Sequence, residues 1–344
     1  MRRILAGAAA AVGSALLIAG CSSGAASSGS ASGGGSGPVA VRLGYLANIT
    51  HAPALIGVKN GYFAKALGSA GTLRTSTYSS GTQETTAILS RQLDAAYVGP
   101  NPAINAWQKS GGKAIKIVSG AATGGASIVA KPGVTSARQF KGKSIATPSL
   151  GNTQDVAARA WLKQGGLSTS AVGGGDVTVK PTTPNSAAVL EYKSGQIAGA
   201  SEPSPYDVEM EQAGGRVLLS EPGVTTLLMV TQSFLSAHPA IVNDLLKAQI
   251  ESNDFIKKDP AQAAKVANSE LAAYTGKPLK PKVLTPAFKE ITFTDDPDAA
   301  SLTTDASQAA GVGLLQKASL QGIFDLGPLN SGLRAAGEKQ VASS

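Results

Sequence analysis

Polar and apolar positions repeat along this chain with two periods. Val39-Ala40-Val41-Arg42-Leu43-Gly44-Tyr45 alternates and predicts a strand. Short apolar and β-branched runs predict further strands at 73–78, 95–98, 114–119, 127–130 and 144–147, then at 176–180, 197–200, 216–219 and 225–230. Between most of them, apolar residues three and four apart predict helices over 52–59, 82–91, 102–109, 153–164, 185–194 and 205–213. Pro53 suits the first turn of its helix, where a missing N–H costs little, and Asn60-Gly61 ends that helix. From Pro239 onward only the helical period remains, over 239–258, 260–274 and 299–316. Strand–helix alternation of this kind predicts an α/β fold with largely parallel sheets.

The chain has 344 residues, 42% of them hydrophobic and 15% charged. Domains hold about 100–200 residues, so two core-forming units are expected, and the apolar share excludes a disordered chain. One Cys excludes internal disulfides and Cys-rich metal sites, and His51 and His238 leave little room for a His-based one. No metal or other cofactor is expected. The net charge of +8 is dispersed: no basic run is longer than two residues, as in Lys257-Lys258, and aromatics are 5%. A nucleic-acid groove needs clustered bases with stacking rings, so none is expected. The charge predicts a mild attraction for anions.

Met1-Arg2-Arg3 precedes an apolar run, Ile4 to Gly20, that is short and Ala/Gly-rich for a spanning helix. Leu17-Ile18-Ala19-Gly20-Cys21 then resembles a bacterial lipobox. The resemblance implies a signal peptide at 1–20, lipid attachment at Cys21 and a membrane-anchored, extracytoplasmic protein. Residues 22–38 are Ser, Gly and Ala with a final Pro38, so 21–38 reads as a lipidated, flexible tether to a folded body beginning at Val39.

Four loops gather polar or small residues next to predicted helix starts or strand ends. They are Asn48-Ile49-Thr50-His51-Ala52-Pro53, Gly99-Pro100-Asn101-Pro102, Gly120 to Ala126, and Ser149-Leu150-Gly151-Asn152-Thr153-Gln154-Asp155. The fourth carries the sharpest argument. A helix start offers unpaired N–H donors and about +0.5 of charge, which suits a small oxyanion. Gly151 allows close approach and Thr153 adds a hydroxyl, although Asn152 or Thr153 can instead serve as a plain N-cap and Asp155 competes for the same donors. The lone His51 reads equally as a structural residue. His238 reads as a surface cap, and Trp107 and Trp161 as core. Lys141-Gly142-Lys143-Ser144 imitates the end of a phosphate loop but lacks its first glycine and runs into a strand.

Together these loops resemble the nitrate/sulfonate/taurine family of ABC-transporter substrate-binding lipoproteins, nearest to its aliphatic-sulfonate-binding members. The resemblance covers nearly all of 39–335. It rests on Leu43-Gly44-Tyr45 with Asn48 to Ala54, Gly61-Tyr62-Phe63, Asp94 to Asn105, Gly151 to Ala157 with Arg159, and Phe293 to Pro297. It implies a type II periplasmic-binding-protein fold, with lobe 1 at 39–125 and 232–344 and lobe 2 at 126–231. It further implies a cleft for a small anion of the sulfonate class, a monomer without enzymatic activity, and delivery to a permease driven by an ATPase. Carried over residue by residue, the binding positions are Asn48, His51, Asn101, Gly124, Thr153 and Gln154. The stretch Ile197 to Tyr206 departs from the sulfonate pattern. An acid becomes Ala198, one Trp becomes Ser201, a Glu becomes Ser204 and the last Trp becomes Tyr206. Ser204, Tyr206 and Thr226 are expected along the cleft, with an altered pocket. Nitrate, taurine or a thiamine-precursor pyrimidine are therefore alternative ligands. A secreted hydrolase is a further alternative, although no nucleophile-elbow Ser accompanies His51.

Overall fold

The computed structural model describes residues 37–317 and 319–342. The signal peptide, Cys21 and nearly all of the tether fall outside the described residues. The strands are β1 (Val39–Leu46), β2 (Gly71–Tyr78), β3 (Ala95–Val98), β4 (Ile115–Gly124), β5 (Ala126–Ala130), β6 (Ser144–Thr147), β7 (Thr178–Pro181), β8 (Gly199–Pro203), β9 (Arg216–Ser220), β10 (Val224–Thr231) and β11 (Ile291–Phe293). The helices are α1 (Ala52–Lys59), α2 (Tyr62–Leu67), α3 (Gly81–Leu89), α4 (Pro100–Lys109), α5 (Thr153–Gln164), α6 (Asn185–Ser194) and α7 (Tyr206–Glu211). They continue with α8 (Gln232–Ala237), α9 (Pro239–Lys258), α10 (Pro260–Thr275), α11 (Pro281–Lys289), α12 (Ala299–Gly311) and α13 (Gly327–Ala335). Among the described residues no helix is long and apolar enough to cross a membrane.

The strands form two sheets, one of six in the order β11-β4-β10-β3-β1-β2 and one of five in the order β7-β6-β8-β5-β9. Both are covered on two faces, and strand periodicity sorts the side chains between them. In β10, Leu228 and Val230 face α1, α9 and α10, while Leu227 and Met229 face α3 and α4. In β5, Ile128 and Ala130 join one core and Val129 the other. Such double burial goes with the unbroken apolar stretch Leu227–Val230 inside β10. Trp107 lies in the core, and Trp161 is half-buried edge-on to Phe140.

The sheets are mixed rather than largely parallel. β1 runs parallel to β2 and β3, and β6 parallel to β7 and β8. However, β10 is antiparallel to β3 and β4, and β5 antiparallel to β8 and β9. β5 and β10 each arrive from the other sheet, so no crossover helix within their own sheet forces them parallel. Strand pairing also places β10 in the six-stranded sheet, so the return crossing falls at Glu221–Gly223, before Val224, instead of after Thr231. The two crossings run side by side: Gly124 N–H donates to Gly223 O at 2.9 Å, and the Thr225 hydroxyl to Gly124 O at 2.8 Å.

Candidate functional site

The ends of β1, β2, β3, β6, β7 and β8 bring loops of both sheets to one polar pocket of about 30 Å³. That is little space, so the two walls stand close together. Asn48, His51, Ser80 and Gly99 contribute from the first sheet's side. Asn152, Thr153, Gln154 and Asn185 contribute from the second. No Lys, Arg, Asp or Glu lines it.

On the first wall Asn48 caps the short 3-10 turn Ile49–His51. Its Oδ1 accepts from the Thr50 N–H at 3.0 Å and the Thr50 hydroxyl at 2.8 Å, which leaves its NH₂ as the free donor. His51 Nδ1 accepts the Leu46 N–H at 3.2 Å, so the ring hydrogen sits on Nε2. Burial pushes the imidazole down to about 3, which keeps it neutral and a donor at physiological pH. The Ser80 hydroxyl caps α3 by accepting from Gln83 N–H.

On the second wall Asn152 caps α5 by accepting from Asp155 N–H at 2.9 Å. Asp155 does not compete for the remaining donors. Its carboxylate accepts from Gly151 N–H at 2.9 Å, the Thr147 hydroxyl at 3.0 Å and the buried Arg159 guanidinium at 3.0 Å. The Thr153 and Gln154 N–H groups, which no helix can bond internally, are left to the pocket. The Thr153 hydroxyl is buried without a partner. A Cβ on Gly99 would lie 2.6 Å from it, so only glycine lets the first wall approach so near. Asn185 Nδ2 donates to Glu202 at 2.8 Å. Burial, reinforced by Asp207, pushes the Glu202 carboxyl well above the usual carboxylate range.

Four expected positions line the pocket: Asn48, His51, Thr153 and Gln154. Asn101 does not, because its Nδ2 turns to Asp305 O of α12 at 3.3 Å. Gly124 lies at the crossing, with φ of +71° and Glu290 O 2.7 Å from where a Cβ would stand, so it serves chain packing. Ser204 is buried inward, donating to Asp207 at 2.7 Å. Thr226 points to the Thr50 hydroxyl at 3.2 Å and braces the Asn48 turn, while its neighbour Thr225 reaches the pocket. Tyr206 lines a second, larger cavity of about 830 Å³ that shares Leu46, Asn48, Ser79 and Asn185 with the pocket. Ser80, Gly81 and Asn185 went unselected in the sequence, although each opens a helix directly after a strand. His238 sits at the start of α9 but leans on Phe234, with ring centroids 5.1 Å apart, and makes no cap bond.

A family model described as the NMT1-like family matches residues 34–271. Among curated proteins none matches significantly. Among solved structures the chain is similar to the alkanesulfonate-binding protein SsuA from Xanthomonas axonopodis pv. citri bound to MOPS. The TM-score is 0.68 at 17% identity, covering 82% of this chain and 96% of that one. The nitrate-binding protein NrtA from Synechocystis PCC 6803 matches with a TM-score of 0.74 at 14% identity, covering 87% and 89%. A Candida albicans protein described as having the generic periplasmic binding protein fold matches with a TM-score of 0.62 at 11% identity, covering 89% and 97%. These likenesses establish the periplasmic-binding-protein fold, in agreement with the resemblance read from the loops. The matched segment runs from before β1 into α10, and the chain belongs to the NMT1-like family.

Proposed function

We propose that the chain is the extracytoplasmic solute-binding component of an ABC importer. It captures a small organosulfonate or related oxyanion between its lobes, hands it to a permease coupled to an ATPase, and is held at the membrane by lipidated Cys21. The observation that carries this reading is the start of α5. There, two N–H groups and the partnerless Thr153 hydroxyl face Asn48 and His51 across the cleft. All these donors are neutral, and the starts of α3, α5 and α6 add a positive field. An anion is favoured by such a set, and burial, by raising the Glu202 carboxyl, lessens repulsion from behind the pocket. Lobes that part to admit a sulfonate and close again upon it give the two-state behaviour that a permease can sense.

The named SsuA and NrtA proteins support an oxyanion ligand. Tyr206 beside the pocket favours a second reading, a heteroaromatic ligand such as a pyrimidine. A hydrolase is disfavoured, because His51 Nδ1 accepts a backbone N–H where a triad needs it to donate to a carboxylate. Titration calorimetry of the purified protein with methanesulfonate, sulfate, nitrate and taurine tests the proposal. Binding of at least one anion is expected. No heat and no thermal shift with any of them overturns it. A native mass spectrum of protein from its own host that shows a carried pyrimidine replaces it with the second reading.

A further inference from the structure

The larger cavity, about 830 Å³, opens from the polar pocket and has the volume of sites that hold drug-sized molecules. A sulfonate or nitrate head alone would leave it empty. Its walls are apolar and aromatic, with Leu46 and Tyr78 from the first lobe, Val189 and Tyr206 from the second, and Leu271 and Tyr274 from α10. Two of the rings are fixed. Tyr206 donates to Ala47 O at 3.3 Å, and Tyr274 donates to Glu270 at 2.9 Å while its oxygen meets the Tyr45 hydroxyl at 2.7 Å.

The rim has a different chemistry. Lys193 of α6, Lys277 and Lys280 of the α10–α11 connection and Lys282 of the first turn of α11 all border the cavity, and the acid on the same lining is Glu209. Among the described residues none of the four lysines is ion-paired. The connection is built rather than loose. Asn268 donates to Leu279 O at 3.0 Å and accepts Leu279 N–H at 2.7 Å, which fixes the segment between Lys277 and Lys280. The lining thus combines the amides of Asn48 and Asn185, shared with the polar pocket, with apolar and aromatic groups and with ammonium groups that make no ion pair among the described residues. Asn185, Val189 and Lys193 follow at four-residue steps along α6, which sets Lys193 about 12 Å along the helix from Asn185.

We propose that this chain takes an organic dianion. Its oxyanion head occupies the polar pocket, an apolar or aromatic body lies along Tyr78 and Tyr206, and a second acidic group meets the lysine rim. The inference rests on the reading of the polar pocket as the anion site.

Three probes separate the parts: methanesulfonate, naphthalene-2-sulfonate and naphthalene-2,6-disulfonate, each titrated calorimetrically into the purified protein. The ring system is expected to tighten binding about a hundredfold over methanesulfonate, from the apolar area it buries. The second sulfonate is expected to add about tenfold, the scale of several screened charge contacts, and to lose that gain at high salt. Replacing the four exposed lysines by Gln removes the same gain and leaves naphthalene-2-sulfonate unaffected. A disulfonate no tighter than the monosulfonate, an advantage that survives both salt and the substitutions, or a naphthalene probe weaker than methanesulfonate each overturns the proposal. Failure of all three probes to bind overturns the anion reading of the pocket itself. Binding of methanesulfonate without a gain from the rest overturns the dianion alone.

Discussion

Gly120 to Ala126 and Ser149 to Asp155 both offer small residues, a threonine and backbone that another group can approach. The fold uses them in opposite ways. In the first stretch the protein itself occupies the space: Gly120 N–H donates to Asp295 O at 2.8 Å, and Gly124 N–H to Gly223 O at 2.9 Å. In the second, Asp155 and Arg159 satisfy each other, and Thr153 is left with a hydroxyl that nothing among the described residues takes. Small residues mark a close approach. Only the remaining unsatisfied donors tell whether the visitor is another strand of the chain or a ligand.

The largest effect expected comes from removing what holds the second stretch rigid. Asp155→Ala leaves the buried Arg159 charge without its partner and should cost about 3–5 kcal/mol, measured by denaturant unfolding. A loss below about 1 kcal/mol would mean that this pair does not organise the helix start. In the first stretch the damaging change is an addition. A Cβ on Gly120 collides with the backbone of Asp296 and Pro297, so Gly120→Ala should cost about 3 kcal/mol and spare anion affinity in the folded fraction. Unchanged stability would refute the packing role assigned to that glycine.

Legibility followed the same division. The ten strands β1 to β10 and the helices α1, α5, α6 and α9 follow from period and from punctuation by Pro and Gly. The elements that the pattern concealed are short or interrupted. α2 has six residues, α11 carries Pro286 in its interior, and α13 contains Gly332. α12 stops at Gly311, ahead of Gly313 at φ +76°, because the glycines end what apolar spacing alone extends to Gln316. At the candidate site, the sequence places Asn48, His51, Thr153 and Gln154 along the pocket because each opens a helix or turn after a strand. Asn101 shares that grammar but faces α12, a contact about 200 positions distant that no local pattern encodes. Gly124 sits at the crossing between the sheets and not at the pocket, for the reason above, and the sheet to which β10 belongs is set by pairing that an apolar run does not specify.

Thr153→Val sharpens the comparison at smaller scale. The side chain keeps its shape and loses a hydroxyl that bonds to nothing among the described residues. Anion affinity should fall about tenfold, while the melting temperature holds or rises. Equal affinity for wild type and variant would remove Thr153 from the site, whereas a lowered melting temperature would make it structural.

The smallest effect expected is an absence of change in binding with pH. A His at its ordinary value of about 6.5 that held an anion by charge would lose affinity about tenfold per pH unit above that value. His51, pushed to about 3 by burial, is neutral throughout pH 5–8 and donates from Nε2, so calorimetry over this range should find no step near 6.5. Stability, by contrast, should move. As pH falls below about 6.5 the unfolded chain protonates His51 and the folded chain does not, which disfavours the fold. Asp207, raised to about 7 by burial, and Glu84 and Glu202, which burial also pushes well above the ordinary carboxylate range, act with the opposite sign: folded, they keep protons that the unfolded chain releases. Three carboxyls outweigh one imidazole, so the melting temperature should climb as pH is lowered from 7 to 5. His51→Gln should steepen that climb, because it removes the opposing contribution. A melting temperature that falls over this range would mean that these carboxyls are ionised in the folded chain, and with a charged Glu202 behind Asn185 the pocket would no longer favour an anion.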